Sequence, residues 1–321
     1  MPSSDVAAAV EVLRRGGLVA FPTETVYGLG ADAANADAVA RIYSVKGRPR
    51  SHPVIVHLAG ATAIKEWAAD VPADAWTLAE AFWPGPLTLI LPRSASVPDA
   101  VTGGSSTVGL RVPDQPLALE LLEAFAGGIA APSANRFGRV SPTTAAHVRA
   151  DLGADVELVL DGGPCFVGVE STIVDLSQGP ARILRLGGLS VDDLSDALGH
   201  EVRVVSSPDG RTPAPGTLPS HYAPAARVEV VSVYEVSERA RVLLSDKHRV
   251  GVLAPTRIDD LPDGVEALPP AGSAAAYAQC LYQRLREADR RGLDVLLAVP
   301  PPETGIGAAV TDRLRRAAAN R

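Results

Sequence analysis

What most constrains this chain is a succession of short apolar runs, rich in valine and isoleucine, recurring between segments of helical periodicity. They are LVAFP at 18–22, VIVHLA at 54–59, LTLILP at 87–92, TVGLRV at 107–112, GIAAPS at 128–133, LVLD at 158–161, STIVDL at 171–176, ARILRL at 181–186 and EVRVV at 201–205. Runs of this length and β-branched content read as buried strands. Strands alternating with helical patterns predict an α/β fold. The later runs follow one another too closely for helical crossovers throughout, so the sheet is expected to be mixed rather than all parallel.

Ser4 and Asp5 are expected to cap a first helix with Val6, Ala9, Val10 and Leu13 on one face, ended by Gly16-Gly17. After a glycine-punctuated turn, YGLG at 27–30, Asp37 is expected to cap a second helix carrying Val39, Ile42 and Tyr43. Residues 206–227, SSPDGRTPAPGTLPSHYAPAAR, hold no period and have the composition of a linker, though the histidine and tyrosine of HYAP favour a functional segment. At 321 residues two domains are expected: a larger one over 1–205, a linker or active-site lid over 206–227 and a small one over 228–321. In the small one VEVVSV (228–233), RVGVLAP (249–255) and LDVLLAV (293–299) read as strands, with helices around 234–246, 273–291 and 307–319. That pattern is Rossmann-like, but without a GxGxxG turn it predicts no dinucleotide site.

A formal charge of −7 argues against a protein whose main task is gripping a polynucleotide, because phosphate-backbone binding needs clustered positive charge. The two cysteines, Cys165 and Cys280, lack zinc-site spacing and cannot build a disulfide framework, which fits a reducing compartment. The N-terminus has no signal-peptide pattern and no apolar run is long enough to span a bilayer, so a cytoplasmic protein is expected.

Several clusters can carry chemistry. Lys46, Arg48 and Arg50, followed by His52, end the second helix. Cations there complement the helix dipole, and they equally form a phosphate clamp, arginine forking onto two oxygens while lysine supplies a point charge. Thr23, Thr25 and Tyr27 follow a buried strand, the usual place for ligand contacts in open α/β sheets, although a tight turn alone explains the glycines. APSAN (131–135) closes a strand and SPTT (141–144) opens a helix, offering an anion site or a plain N-cap. Thr107 and Arg111 lie four apart on one strand and share a face, where Arg111 reads as a carboxylate receptor or a surface ion pair.

Taken in order, FPTETVYGLG, KGRP, HPVIVHLA, WPGPLTLIL, LRVP, APSAN with SPT, GVESTIVD, RLGG, HYAP and the terminal DRLRRAA give the chain a resemblance to the YrdC-like family over essentially its whole length, specifically to its two-domain branch of L-threonylcarbamoyladenylate synthases. The resemblance implies a YrdC-like twisted mixed sheet with flanking helices at 1–205, followed by the Rossmann-like domain. It implies a nucleotidyltransferase that joins L-threonine, bicarbonate or carbon dioxide, and ATP into threonylcarbamoyl-AMP and pyrophosphate. The product would pass to a tRNA threonylcarbamoyl transferase complex for threonylcarbamoyladenosine biosynthesis, with magnesium accompanying ATP, no dedicated protein metal site, and tRNA not needed for the step. Motif by motif, Lys46 and Arg48 correspond to the catalytic phosphate clamp. Thr25, His57, Arg111, Ala131 and Ser171 correspond to threonine contacts, and Arg48, His52, Thr107, Ser133, Ser141, Arg185 and Tyr222 to ATP contacts. Three features depart from the family pattern: His52 for a common asparagine, Phe137 for a common serine, and Thr217-Leu218-Pro219-Ser220 for more basic residues. An RNA-binding module of the same fold is the alternative, against which stand the acidic total and the scarcity of stacking aromatics. The hydrogenase-maturation carbamoyltransferases carry this domain beside cysteine-rich zinc modules, which two distant cysteines do not supply.

Overall fold

The computed structural model describes residues 2–205 and 222–319; most of the expected lid, including the departures at 217–220, lies outside the described residues. The chain divides into two compact units. Among the described residues the first holds the chain through 205, except Gly138–Val140 and Val167–Val169, which belong with 222–319 in the second.

The first unit carries β1 (Val19–Phe21), β2 (Gly28–Asp32), β3 (Ile55–His57), β4 (Leu87–Pro92), β5 (Thr107–Arg111), β6 (Ile129–Ala130), β7 (Leu158–Val159), β8 (Thr172–Asp175), β9 (Arg182–Arg185) and β10 (Arg203–Val204). They form one sheet in the order β10-β9-β8-β4-β5-β3-β6-β2-β1-β7. It is mixed as expected: β3 with β5 and β4 with β8 are parallel, while β4 with β5 and β8 with β9 are antiparallel. Alternation along the strands sends side chains into two cores. Val19 and Phe21 pack with Val6, Leu13, Leu121 and Leu122, on the side of the helices Ser4–Arg14 and Pro116–Phe125. Ala20 faces the other way, with Val39 and Ile42 of the helix Ala36–Lys46 and with Leu110.

YGLG does not end in a turn. Gly28–Asp32 is a strand, paired antiparallel with β1, and its glycines serve close packing. A Cβ on Gly30 would lie 2.8 Å from Ile129 and 2.9 Å from the Phe21 ring. The caps also differ by a residue or two. Ser3 precedes the first helix, and Asn35 rather than Asp37 caps the second, its Oδ1 accepting the N–H groups of Asp37 and Ala38 at 3.1 Å each.

The second unit is a parallel sheet, β11 (Arg227–Val230), β12 (Val250–Leu253), β13 (Glu266–Ala267) and β14 (Val295–Ala298), in the order β11-β14-β12-β13. Helices Val236–Ser245, Ala274–Arg290 and Ile306–Ala318 accompany it, so the Rossmann-like expectation holds. β13 has no apolar run to announce it. Among the described residues no helix is long and apolar enough to cross a membrane.

One glycine ties fold to site. A Cβ on Gly187 would sit 2.3 Å from each of Glu170 O, Ser171 C and Thr172 N, all backbone atoms. Gly187→Ala is therefore expected to lose about 2–3 kcal/mol by overpacking, read as a lowered urea midpoint with unchanged slope.

Candidate active site

The sheet order brings residues far apart in sequence into one row. Arg185 ends β9, Ser171 immediately precedes β8, Thr88 lies on β4, Arg111 ends β5 and His57 ends β3. Arg111 and His57 are register partners across β3 and β5. All five are buried.

Arg111 is the centre of this row. Its Nη2 donates to Thr25 Oγ1 at 2.9 Å and its Nε to Gly85 O at 3.3 Å, and Nη2 lies 2.7 Å from Glu24 Oε1. Thr25 is oriented by the turn after β1. The Thr23 hydroxyl donates its one proton to Val26 O at 2.7 Å, so in the 2.8 Å contact between the two threonines Thr25 is the donor. The lone pairs of Thr25 thus face Arg111. Glu24, between them, has no solvent exposure, and neither carboxylate oxygen has an aligned hydrogen bond among the described residues; the ion pair with Arg111 is its compensation. Glu24 is not among the residues that the sequence singles out. The local sequence carries only a faint signal, a carboxylate between two threonines in an otherwise apolar stretch.

His57 is 3% exposed and packs edge-on against Phe21, ring centroids 5.7 Å apart. Burial, and then the neighbouring Arg111, push its pKa down to about 3, so the imidazole is neutral. Its Nδ1 has no partner among the described residues. A neutral imidazole with an orphaned nitrogen is a ready partner for a polar ligand. The Ala131 N–H is spent on Ile55 O at 2.8 Å, which leaves its carbonyl as the backbone group it can offer.

Ser171 is held from two sides. Its Oγ lies 2.7 Å from Thr88 Oγ1, and Arg185 Nη2 donates to the same Oγ at 3.1 Å and to Ser171 O at 2.9 Å. Ser141, in the loop before the helix Ala145–Leu152, donates to Glu170 Oε1 at 2.7 Å, a buried carboxylate that sequence reasoning also left unassigned.

A second group gathers at the end of the helix Ala36–Lys46. Lys46 is 3% exposed, and its Nζ donates to Ser133 O at 2.6 Å and to Asn135 O. Burial, then Arg48, hold its pKa well below that of an ordinary lysine. Its N–H donors are spent on the APSAN carbonyls, a different use from a point charge on phosphate. Arg48 donates to Pro53 O at 2.9 Å and lies over the Phe137 ring, 5.8 Å from its centroid. His52 meets the same ring at 5.7 Å, and burial, then Arg48, lower its pKa. Two of the departures from the family pattern, His52 and Phe137, are thus in contact.

Thr107 opens β5, at the opposite end of the strand from Arg111, and its hydroxyl lies 3.0 Å from Ser105 Oγ. Tyr222 is in the second unit, buried, stacked on Tyr282 at 5.6 Å with Arg313 over its ring at 5.1 Å. Tyr27 is consumed structurally, donating to Gly163 O at 2.7 Å. Among the described residues no three His, Cys, Asp or Glu side chains converge as a metal set.

Residues 11–187 match the Sua5/YciO/YrdC family model, described as telomere recombination, and residues 189–319 match the threonylcarbamoyl-AMP synthase C-terminal domain. The chain is 41% identical to the threonylcarbamoyl-AMP synthase of Pyrococcus abyssi, covering 98% of this chain and 94% of that one. It is 38% identical to the Bacillus subtilis protein of the same name, covering 98% and 93%. Among solved structures, P. abyssi Sua5 complexed with L-threonine superposes with a TM-score of 0.91 at 42% identity, covering 98% of this chain and 94% of that one. Escherichia coli YciO gives a TM-score of 0.52 at 25% identity over 59% of this chain and 92% of its own.

Proposed function

The chain belongs to the Sua5/YciO/YrdC family, and from that premise we propose that it is a threonylcarbamoyl-AMP synthase. In this proposal it is a nucleotidyltransferase condensing L-threonine, carbon dioxide or bicarbonate, and ATP to threonylcarbamoyl-AMP and pyrophosphate. The product serves threonylcarbamoyladenosine formation in tRNA through a separate transferase, in the cytoplasm. The observation that carries the proposal is the buried cluster of Arg111, Thr25 and the neutral His57, whose Nδ1 is left without a partner among the described residues. A guanidinium fork, a hydroxyl and a neutral imidazole in a dry site suit an amino acid's carboxylate and polar groups. The P. abyssi structure that superposes on this chain is a complex with L-threonine.

No covalent enzyme intermediate is needed. The threonine amine captures carbon dioxide, and the carbamate oxygen attacks the α-phosphorus of ATP with pyrophosphate leaving. The protein's part is to hold anions together and to stabilise the charge developing on the phosphoryl group. Within the first unit, Arg48, His52, Thr107, Ser133, Ser141 and Arg185 are the proposed ATP contacts, and Thr25, His57, Arg111, Ala131 and Ser171 the threonine contacts. Magnesium enters with ATP as part of the substrate, its ligands being phosphate oxygens and water.

The test is pyrophosphate release measured with threonine, bicarbonate and ATP, each omitted in turn. Release is expected only with all three present; release indifferent to threonine would overturn the proposal, and RNA binding without turnover would favour the nucleic-acid module instead. Arg48→Ala is expected to lower kcat/KM for ATP by about 100-fold while leaving threonine binding by calorimetry within about twofold of wild type.

A further inference from the structure

We propose that Glu24 is the proton acceptor that turns threonine's ammonium into a nucleophilic amine, and that the Arg111–Glu24 pair is a resting arrangement which threonine's carboxylate displaces. This rests on the function proposed above. Removing a carboxylate from water is costly, and a single cation contact compensates it only in part. Glu24 is nevertheless wholly buried, 2.7 Å from one guanidinium nitrogen and without an aligned hydrogen bond among the described residues. An apolar residue would sit there at less cost. The exception falls beside Thr25 and Arg111, where the amino acid is proposed to bind.

Charge dictates how the site rearranges when threonine enters. The zwitterion brings one carboxylate and one ammonium into a site already holding one carboxylate and one guanidinium. The favourable rearrangement exchanges partners: Arg111 takes the threonine carboxylate with both arms of its fork, and Glu24 takes the ammonium. In a dry site the neutral acid and neutral amine of this new pair are favoured over the two separate charges. The proton passes from the ammonium nitrogen to a Glu24 oxygen, leaving a neutral amine and a neutral acid. The amine lone pair then forms the N–C bond to carbon dioxide, one C–O π pair moves onto oxygen, and the remaining excess proton on nitrogen leaves to solvent. In sum, threonine ammonium, Glu24 carboxylate and carbon dioxide give carbamate, protonated Glu24 and one released proton.

The neighbouring titratable groups do not compete. His57, on β3 beside Arg111, is held neutral by burial and by that guanidinium, its pKa near 3, so it does not accept a proton at neutral pH. Cys165 faces Glu24 from the loop before β8, and burial, then Glu24 itself, push its thiol up to about 12, so it stays protonated. Arg111, from β5, is the one cation in contact with Glu24 among the described residues.

The experiment is Glu24→Gln in the full chain, with threonine-dependent pyrophosphate release followed from pH 6.5 to about 9.5 and threonine binding followed by calorimetry. At pH 7.5 kcat is expected to fall by about 100-fold or more, with threonine affinity within about tenfold of wild type. The residual rate should climb about tenfold per pH unit, as the solution supplies free amine, while wild type stays flat above neutrality. A wild-type pH profile in the variant, or lost threonine affinity with kcat unchanged, would overturn the inference and leave the proposed function standing. Wild type without threonine-dependent release would overturn both. Should the glutamine variant not fold, Glu24→Asp decides the matter: a lowered kcat with the wild-type pH profile supports the proton-acceptor role, and an unchanged kcat with weakened threonine binding overturns it.

Discussion

Arg111→Ala is expected to cost about 3–5 kcal/mol of stability and to abolish threonine-dependent pyrophosphate release. Both effects have one origin. Arg111 is 4% exposed and compensates a carboxylate that has no exposure at all. Truncating it strands Glu24 as an uncompensated buried charge and deprives Thr25 Oγ1 and Gly85 O of their donor. Urea denaturation reads the first effect and calorimetry with threonine the second. The double variant Glu24→Leu/Arg111→Met separates them, since replacing a buried pair with apolar residues of similar volume is often neutral for stability. It should regain most of the lost stability and remain inactive. A double variant as unstable as Arg111→Ala would mean that the cost lies in packing rather than in the stranded charge.

Lys46→Met is expected to destabilise the protein by about 3 kcal/mol and to weaken turnover through a displaced APSAN loop. The side chain ends the helix Ala36–Lys46 and donates to Ser133 O and Asn135 O, while Phe137 N–H donates back to Lys46 O at 2.8 Å. Methionine fills the volume and supplies no donor, so two carbonyls lose their partner, at about 1–3 kcal/mol for each that stays dry. A lysine acting as a point charge on phosphate predicts the opposite split, with stability unchanged and ATP affinity reduced. Denaturation and ATP calorimetry on the same variant distinguish the two. Arg48→Ala beside it gives the contrast, because its expected loss is in turnover.

Lys46 and Arg48 mark how far a local sequence pattern reaches. Both stand at a helix end in KGRP, and spacing treats them alike. In the folded chain Lys46 reaches the loop after β6, while Arg48 lies against Phe137 and its own following turn. Which neighbour a long side chain finds depends on which distant segment packs there, and no local pattern carries that. Glu24 is the same case in reverse. Its neighbours in sequence are threonines, and its decisive partner, Arg111, is brought alongside by sheet order. β2 escapes local reading for a related reason, since glycines that look like turn residues are small because Phe21 and Ile129 press on the strand.

By itself the sequence determined the α/β class, the mixed sheet, the Rossmann-like C-terminal pattern and, through the order of its motifs, the family. Those properties rest on periodicity, turn chemistry and residue identity, all of which are local. Only the tertiary structure decided that Arg111 is paired with a carboxylate, that His57 is neutral, that Lys46 serves a loop, and that His52 and Phe137 touch. These are properties of residue pairs remote in the chain or enclosed together, and their charges and hydrogen bonds are set by burial, which comes into being only when the strands assemble in their final order.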